Sequence, residues 1–399
     1  MNILIYIPDL TQANGGIRQY AIGLLNTFSS DESNIYFIYH NNGDKVIIDL
    51  ISKYSQYIHV SDSDINAYKK GSKKYSIKSI KKYIANKIGV FLSTKHKSDI
   101  DILCEIFLID ILHSPYQFIP QAKNVKLITT LHDVQEIHHP EYFTANERAY
   151  RATAYLDYLN RSDKVIVSYE HIKKDLIKYF NIPSEKVQVI LLNMNNIWLN
   201  QYTETDIIDL TNFSVPEIFL LYPANTWEHK NHIRLLRAVA FIREIHGINI
   251  NIICTGFLNK HFETINNLSI ELQLQNQVLF LGVVEERVLY SLYKTCRGVV
   301  IPTTYEAGSF PLYESIILNT PVICSNVTSL PETIGKDDYT FNPYEIEEMA
   351  RKIFTLWTDD KFIRDNKQNL QERLVFLENN NALYLLKKTF HDLVINKTI

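Results

Sequence analysis

Cysteine is scarce. The four in 399 residues, Cys104, Cys254, Cys296 and Cys324, are far apart, with no CxxC pair and no Cys/His metal spacing. Disulfide frameworks belong to short secreted chains, so these read as reduced, buried thiols of a cytoplasmic protein. An excess of basic charge is missing too. The 41 Lys and Arg against 44 Asp and Glu leave a net −3, which argues against a dedicated nucleic-acid binder. No stretch approaches the ~20 apolar residues needed to cross a bilayer. The opening MNILIYIPDL has a short apolar run without a basic lead-in, so it reads as a first strand and not as a signal peptide. No internal repeat is present, and no GxGxxG, which counts against a nicotinamide dehydrogenase. The expectation is a chain that is soluble or rests on a membrane surface.

What is present is globular in composition, 46% hydrophobic and 21% charged, and too long for one ordinary core. Short β-branched runs alternate with longer helical patterns, the signature of parallel sheets wrapped by helices. In the first half the runs are 3–7, 35–39, 109–113, 126–131, 164–168 and 187–191. The polar stretch QYTETDIIDLTNFSVPE, 201–217, reads as a linker. The rhythm then restarts with strands at 218–222, 248–255, 278–281, 298–302 and 321–324, and with a helix over 232–246 whose face carries Ile233, Leu236, Val239, Ala240 and Ile242. Two tandem doubly wound α/β domains are predicted, 1–200 and 218–379, with an interdomain cleft and a helix from about 380 to 399. Such sheets bind ligands beyond the carboxyl ends of their strands, so the loops after strands carry the interest.

VVIPTTYEAGSFPLYES, 299–315, is a strand, a loop and a helix start. Ser309 is a candidate N-cap, and Pro311 fits a first helical turn. Main-chain amides from Gly308 through Ser309 and Phe310 to Leu312 would converge with the helix dipole on one spot that suits a phosphate. A side chain at Gly308 would obstruct that approach. Glu306 and Glu314 bracket the spot, and carboxylates accept hydrogen bonds from vicinal diols such as those of a sugar or a ribose. A surface loop Glu and a Glu serving the helix dipole are the plainer alternatives. In YPANTWEHKNHIRLLRAV, from Tyr222, Lys230 closes the loop after the first strand of the second half and offers a point charge to an anion. In ITTLHDVQEIHHPEYF, His132 and Asp133 follow a strand, with His138 and His139 farther on as acceptor contacts or plain loop residues. Gly15 and Gly16 in IPDLTQANGGIRQYAIGLL permit positive φ and close approach ahead of a helix with Tyr20, Leu24 and Leu25 inward.

EAGSFPLYE resembles the E-x7-E element of the retaining nucleotide-sugar glycosyltransferases of family 4, which have the GT-B fold, and SIILNTPVICSNVTSLPE continues the likeness. The resemblance follows element order along nearly the whole chain and is carried by residues 230–335 and the surroundings of His132. It implies that Glu306 contacts the transferred sugar, Glu314 the ribose, and the Gly308–Phe310 loop the diphosphate. It also implies that His132 positions the sugar, with Asp133 orienting the ring, and that the glycine pair faces the donor phosphate. The family has an Arg five residues before the Lys where this chain has Asn225, a hydrogen-bond donor without charge. It often has a second glycine where this chain has Ser309-Phe310-Pro311.

By resemblance the reaction is metal-independent transfer of a hexose, such as mannose or glucose, with no cofactor beyond the nucleoside-diphosphate sugar as co-substrate. The acceptor would be a glycan or a lipid-linked oligosaccharide in cell-surface polysaccharide assembly. The last helix of the fold often crosses back onto the first domain. A catalytically inactive GT-B partner and a sugar-nucleotide epimerase are the rival readings. Finally, KKGSKKYSIKSIKKYIANKIG, 69–89, packs eight lysines into nineteen residues, with Ile77, Ile80, Ile84 and Ile88 on one helical stripe. Lys73, Lys74, Lys78, Lys81 and Lys82 would face anionic lipid on the inner side of the cell membrane, or else a solvated helix packs on the domain by its isoleucines.

Overall fold

Alternation along each strand sends side chains to opposite faces, and helices on both faces bury them. In β1 (Asn2–Tyr6), Ile3 and Ile5 enter one core while Leu4 enters the other. In β8 (Leu220–Pro223), Leu220 and Tyr222 likewise part from Leu221. The computed structural model describes residues 1–10, 15–41, 44–69, 98–192 and 198–395. The segment with Lys73, Lys74, Lys78, Lys81 and Lys82 lies outside them.

The first sheet holds β1 with β2 (Ile35–Tyr39), β3 (Tyr57–Val60), β4 (Ile111–Ser114), β5 (Lys126–Thr130), β6 (Lys164–Val167) and β7 (Val187–Val189). Its order is β3-β2-β1-β4-β5-β6-β7, all parallel. The second holds β8 with β9 (Ile252–Thr255), β10 (Val278–Gly282), β11 (Gly298–Ile301), β12 (Val322–Ser325) and β13 (Thr340–Phe341), in the parallel order β10-β9-β8-β11-β12-β13. This is two Rossmann-like domains in tandem.

Two strands escaped the sequence reading, β3 and β13. Both are short edges, and neither offers the apolar run that marks a central strand. The run expected from 248 shortens to Ile252–Thr255, because the preceding helix ends on Gly247 at φ 65 and the chain must turn before it can pair. That helix, His232–His246, has the expected bounds, and Leu235, Leu236, Val239, Ala240 and Ile242 face the core.

The stretch expected as a linker runs as a strap against the second domain. Leu210 is buried in that domain's core, and Ile207, Ile208 and Phe213 pack against it. Ile208 N–H donates to Ser291 Oγ at 3.0 Å. Its apolar residues, diluted among polar ones, cover helix 286–295. At the other end of the chain, helix Ala382–Ile395 packs on the first domain through Leu386, Phe390 and Leu393. Lys387 pairs there with buried Asp31 at 2.9 Å.

Candidate functional site

In each sheet the strand order reverses beside its first strand, at β1/β4 and at β8/β11, and loops leaving such a pair diverge to open a crevice. In the second domain those loops are 224–231 and 302–309, and they are stitched together. The His229 carbonyl accepts from Thr304 N–H at 2.8 Å and from the Thr303 hydroxyl at 2.9 Å. The Lys230 carbonyl accepts from Tyr222 Oη at 2.6 Å. Asn231, left-handed at φ 63 and 3% exposed, donates to the carbonyls of Pro302 (2.8 Å) and Pro343 (3.0 Å). Asn tolerates that backbone and carries two donors, which suits it to this corner.

The outcome is a salt bridge between residues 76 apart in sequence: Lys230 Nζ to Glu306 Oε1 at 2.6 Å, with side chains 19% and 9% exposed. Glu306 is anchored on both sides of its Cα. Its N–H donates to Thr328 Oγ1 at 2.9 Å, and its carbonyl accepts from Ser329 Oγ at 3.0 Å. Glu314 is buried and turned toward the helix 286–295, where Tyr293 Oη donates to Oε2 at 2.6 Å. The two acids therefore have different surroundings, Glu306 on the lysine and Glu314 on a tyrosine.

Between them the helix Phe310–Leu318 begins. Its first intrahelical bond is Tyr313 N–H to Ser309 O, so the amides of Gly308, Ser309, Phe310 and Leu312 precede the ladder. Pro311 occupies the first turn and has no N–H to offer. Ser309 stands at the N-cap, but its side chain makes no cap bond, and its Oγ is buried without a partner among the described residues. Leu312 is a core residue whose contribution is main chain.

Across from this loop lies the first domain. A cavity of about 280 Å3 is lined by Gly16, Tyr20, His132 and Asp133 on one side and by Ala307, Gly308, Phe310 and Tyr313 on the other. Glu306 and Glu314 are sequence neighbours of lining residues and Lys230 meets Glu306, but these three and Asn225 do not line the cavity. Gly16 is within a regular helix, Gly15–Phe28, and is not left-handed as expected. A Cβ there would sit 3.7 Å from the Phe310 ring, an ordinary contact, so the surrounding atoms do not demand a glycine at this position. A Cβ on Gly308 would meet the Tyr169 ring of the first domain at 3.4 Å, the near edge of ordinary contact. Tyr169 in turn hydrogen-bonds Tyr313 across the cleft.

His132 has its Nε2 2.8 Å from the Pro115 carbonyl. A carbonyl only accepts, so Nε2 carries the proton and Nδ1 keeps a lone pair. Burial lowers the basicity of the ring below the usual histidine range, with the Pro115 bond and the Asp133 charge opposing in part. The ring's orientation comes from Pro115 and from Tyr20, whose ring meets it edge-on at 4.7 Å. Asp133, expected to orient it, is drawn instead to Arg151 (3.8 Å) and Gln117 (3.4 Å). His138 donates to Asp175 at 2.6 Å, and His139 faces Glu141 at 3.0 Å and the Thr304 carbonyl at 3.4 Å. Neither lines the cavity, and among the described residues the three histidines have no hydrogen-bond partner in common. Asn225 Oδ1 accepts from Phe257 N–H at 2.7 Å, which ties it to the loop after β9.

Asn231, Tyr305, Tyr169 and Tyr313 were missed. An Asn directly after the Lys was a signal for a left-handed corner. The tyrosines are revealed only by contacts that cross domains.

Residues 204–373 match the family model for glycosyl transferases group 1, and residues 91–191 match that for Glycosyltransferase Family 4. The chain belongs to the family 4 glycosyltransferases. The O-antigen chain mannosyltransferase B of Escherichia coli is 23% identical over 253 residues, covering 63% of this chain. The match spans 66% of that relative, just under two thirds of its length. Among solved structures, a glycosyltransferase from Rickettsia africae superposes with TM-score 0.65 at 17% identity, covering 98% of this chain and 97% of its own. HepE of Anabaena, in complex with UDP and glucose, superposes with TM-score 0.66 at 15% identity, covering 99% and 100%. The fold of this family 4 member is GT-B.

Proposed function

We propose that the chain transfers a hexose from a nucleoside-diphosphate sugar to a hydroxyl of a glycan or lipid-linked acceptor in cell-surface polysaccharide assembly. The observation that carries this reading is the Lys230–Glu306 pair, held at the C-terminal edge of the second sheet beside unladdered helix amides. Breakage of the bond from the anomeric carbon to the diphosphate leaves negative charge on the leaving group. Preset donors stabilise such charge without having to reorganise. Lys230 and the amides of Gly308 to Leu312 are those donors here, and no metal is invoked. An arriving diphosphate competes with Glu306 for the ammonium. The released carboxylate then accepts from hydroxyls of the sugar, while Glu314 serves the ribose. His132 Nδ1 accepts from a sugar hydroxyl on the opposite face. By family resemblance the acceptor oxygen attacks the same face of the anomeric carbon, a phosphate oxygen takes its proton, and configuration is retained. HepE was solved with UDP and glucose, and the Escherichia coli relative is named for mannose transfer, which supports a nucleotide-hexose donor.

The test is release of nucleoside diphosphate from a panel including GDP-mannose and UDP-glucose. The wild type should turn over one of these. Lys230→Ala should lose roughly 100-fold or more, the scale of removing one preset donor, and Glu306→Ala a comparable amount through loss of the acceptor that holds the sugar. An active wild type with both variants unimpaired contradicts the assignment. The lysine-rich segment would hold the enzyme at anionic lipid, each lysine worth ~1 kcal/mol. Co-sedimentation with phosphatidylserine vesicles should disappear when Lys73, Lys74, Lys78, Lys81 and Lys82 are replaced by Ser. No sedimentation of the wild type rejects the membrane role.

A further inference from the structure

Tyr305 has no part in the mechanism above, yet it is the residue before Glu306 and is only 3% exposed. Its side chain leaves the second domain and ends in the first. Val134 N–H donates to its hydroxyl at 3.3 Å. The rings of His138 and His139 lie against it, with centroids at 5.6 and 6.1 Å, the second edge-on. One residue earlier in the chain, the Thr304 carbonyl meets His139 Nε2 at 3.4 Å. The Thr303 hydroxyl lies 2.9 Å from both the Tyr305 carbonyl and the His229 carbonyl.

We infer that Tyr305 is a positioning residue, a pin that sets the catalytic loop of one domain against the sugar-facing loop of the other. The path is short. Val134 is two residues from His132, and Tyr305 is covalently next to Glu306, so a single hydrogen bond closes the link between the side chains proposed to hold the sugar from opposite faces. Through Thr303 and His229 the same pin reaches the Lys230 loop. A GT-B cleft is made of two independently folded halves, and its catalytic groups are useful only at one relative setting, since misplacement by about 1 Å can cost 100-fold in rate. A buried phenol fixed by a main-chain N–H has little rotational freedom, which makes it a rigid gauge for that setting. The inference rests on the proposed glycosyl transfer, and it assigns a role in turnover rather than in donor binding.

Tyr305→Phe removes one oxygen and keeps the ring. With the donor that the wild type turns over, kcat should fall about ten-fold or more while the Kd of the matching nucleoside diphosphate changes less than about two-fold. The thermal midpoint should drop by no more than about 4 °C, the effect of one lost hydrogen bond in domains of this size. Because the pin acts through the His132–Glu306 setting, the same substitution made in a His132→Ala background should cost under about two-fold. Unchanged kcat in an active enzyme, or an equal loss in both backgrounds, overturns the positioning role and leaves the glycosyl-transfer reading standing. A wild type that releases no nucleoside diphosphate from any donor and binds neither GDP nor UDP defeats that reading, and the role assigned to Tyr305 with it.

Discussion

Which nitrogen of His132 holds the proton decides what that residue can do. With Nε2–H spent on the Pro115 carbonyl, the ring offers the cleft an acceptor, and burial keeps it neutral below the usual histidine pKa of ~6.5. The depressed pKa fixes the sign: protonation, and loss of the acceptor, comes only as the pH falls below that usual value. The dependence of kcat/KM on pH should therefore be flat from about 8 to 6.5, with any His132 limb on the acid side. Asn places an oxygen close to the position of Nδ1. His132→Asn should retain more activity than His132→Ala, for which a loss of roughly ten-fold corresponds to one hydrogen bond. An inflection at or above pH 6.5 that vanishes in His132→Ala contradicts the neutral acceptor. Lys230, Glu306 and His132 were legible because each sits in a short motif with a chemical reason for its residue type. Asn231 and Tyr305 were not, because their partners, Pro302, Pro343 and Val134, are fixed by the tertiary fold and leave no local pattern.

At the scale of elements, what places the motifs is the βα rhythm. The runs now seen as β1, β2, β5, β6 and β8 to β12 stood out for their β-branched residues, and the helix 232–246 for its period. Edge strands β3 and β13 lacked that contrast. The strap over 201–217 read as a linker because its polar residues outnumber the apolar ones that bury. Gly16 read as a glycine permitting positive φ and close approach, whereas in the structure it lies within a regular helix and faces Phe310. Helix Ala382–Ile395 is separated by only a few residues from Asp360–Glu378 and belongs to the other domain's core. Phe390 is fully buried there, 5.8 Å from Phe28 between ring centroids. Phe390→Ala should destabilise the protein by ~3–5 kcal/mol in chemical denaturation, the range for emptying a buried aromatic site. A loss below about 1 kcal/mol would mean that the helix is an appendage with no role in the first core.

For the whole molecule, the two sheets present their switch points to one another. The cavity bounded by Gly16, His132, Gly308 and Phe310 is the meeting place. Contacts on both flanks join the halves there: Val134 with Tyr305 on one side, Tyr169 with Tyr313 and Glu170 with Glu332 on the other. The tandem architecture could be read from strands that stop and restart. The facing surfaces could not, since nothing local in either half records the relative setting of two folded units. The central claim is that Lys230 and the amides at the start of helix Phe310–Leu318 grip a diphosphate. Its most direct test is a crystal structure of the protein with GDP or UDP. Diphosphate oxygens should lie within about 3 Å of Lys230 Nζ and of main-chain nitrogens between Gly308 and Leu312, with Glu306 released from the lysine. A nucleotide bound elsewhere, with Lys230 still paired to Glu306 and no anion touching either, would contradict it.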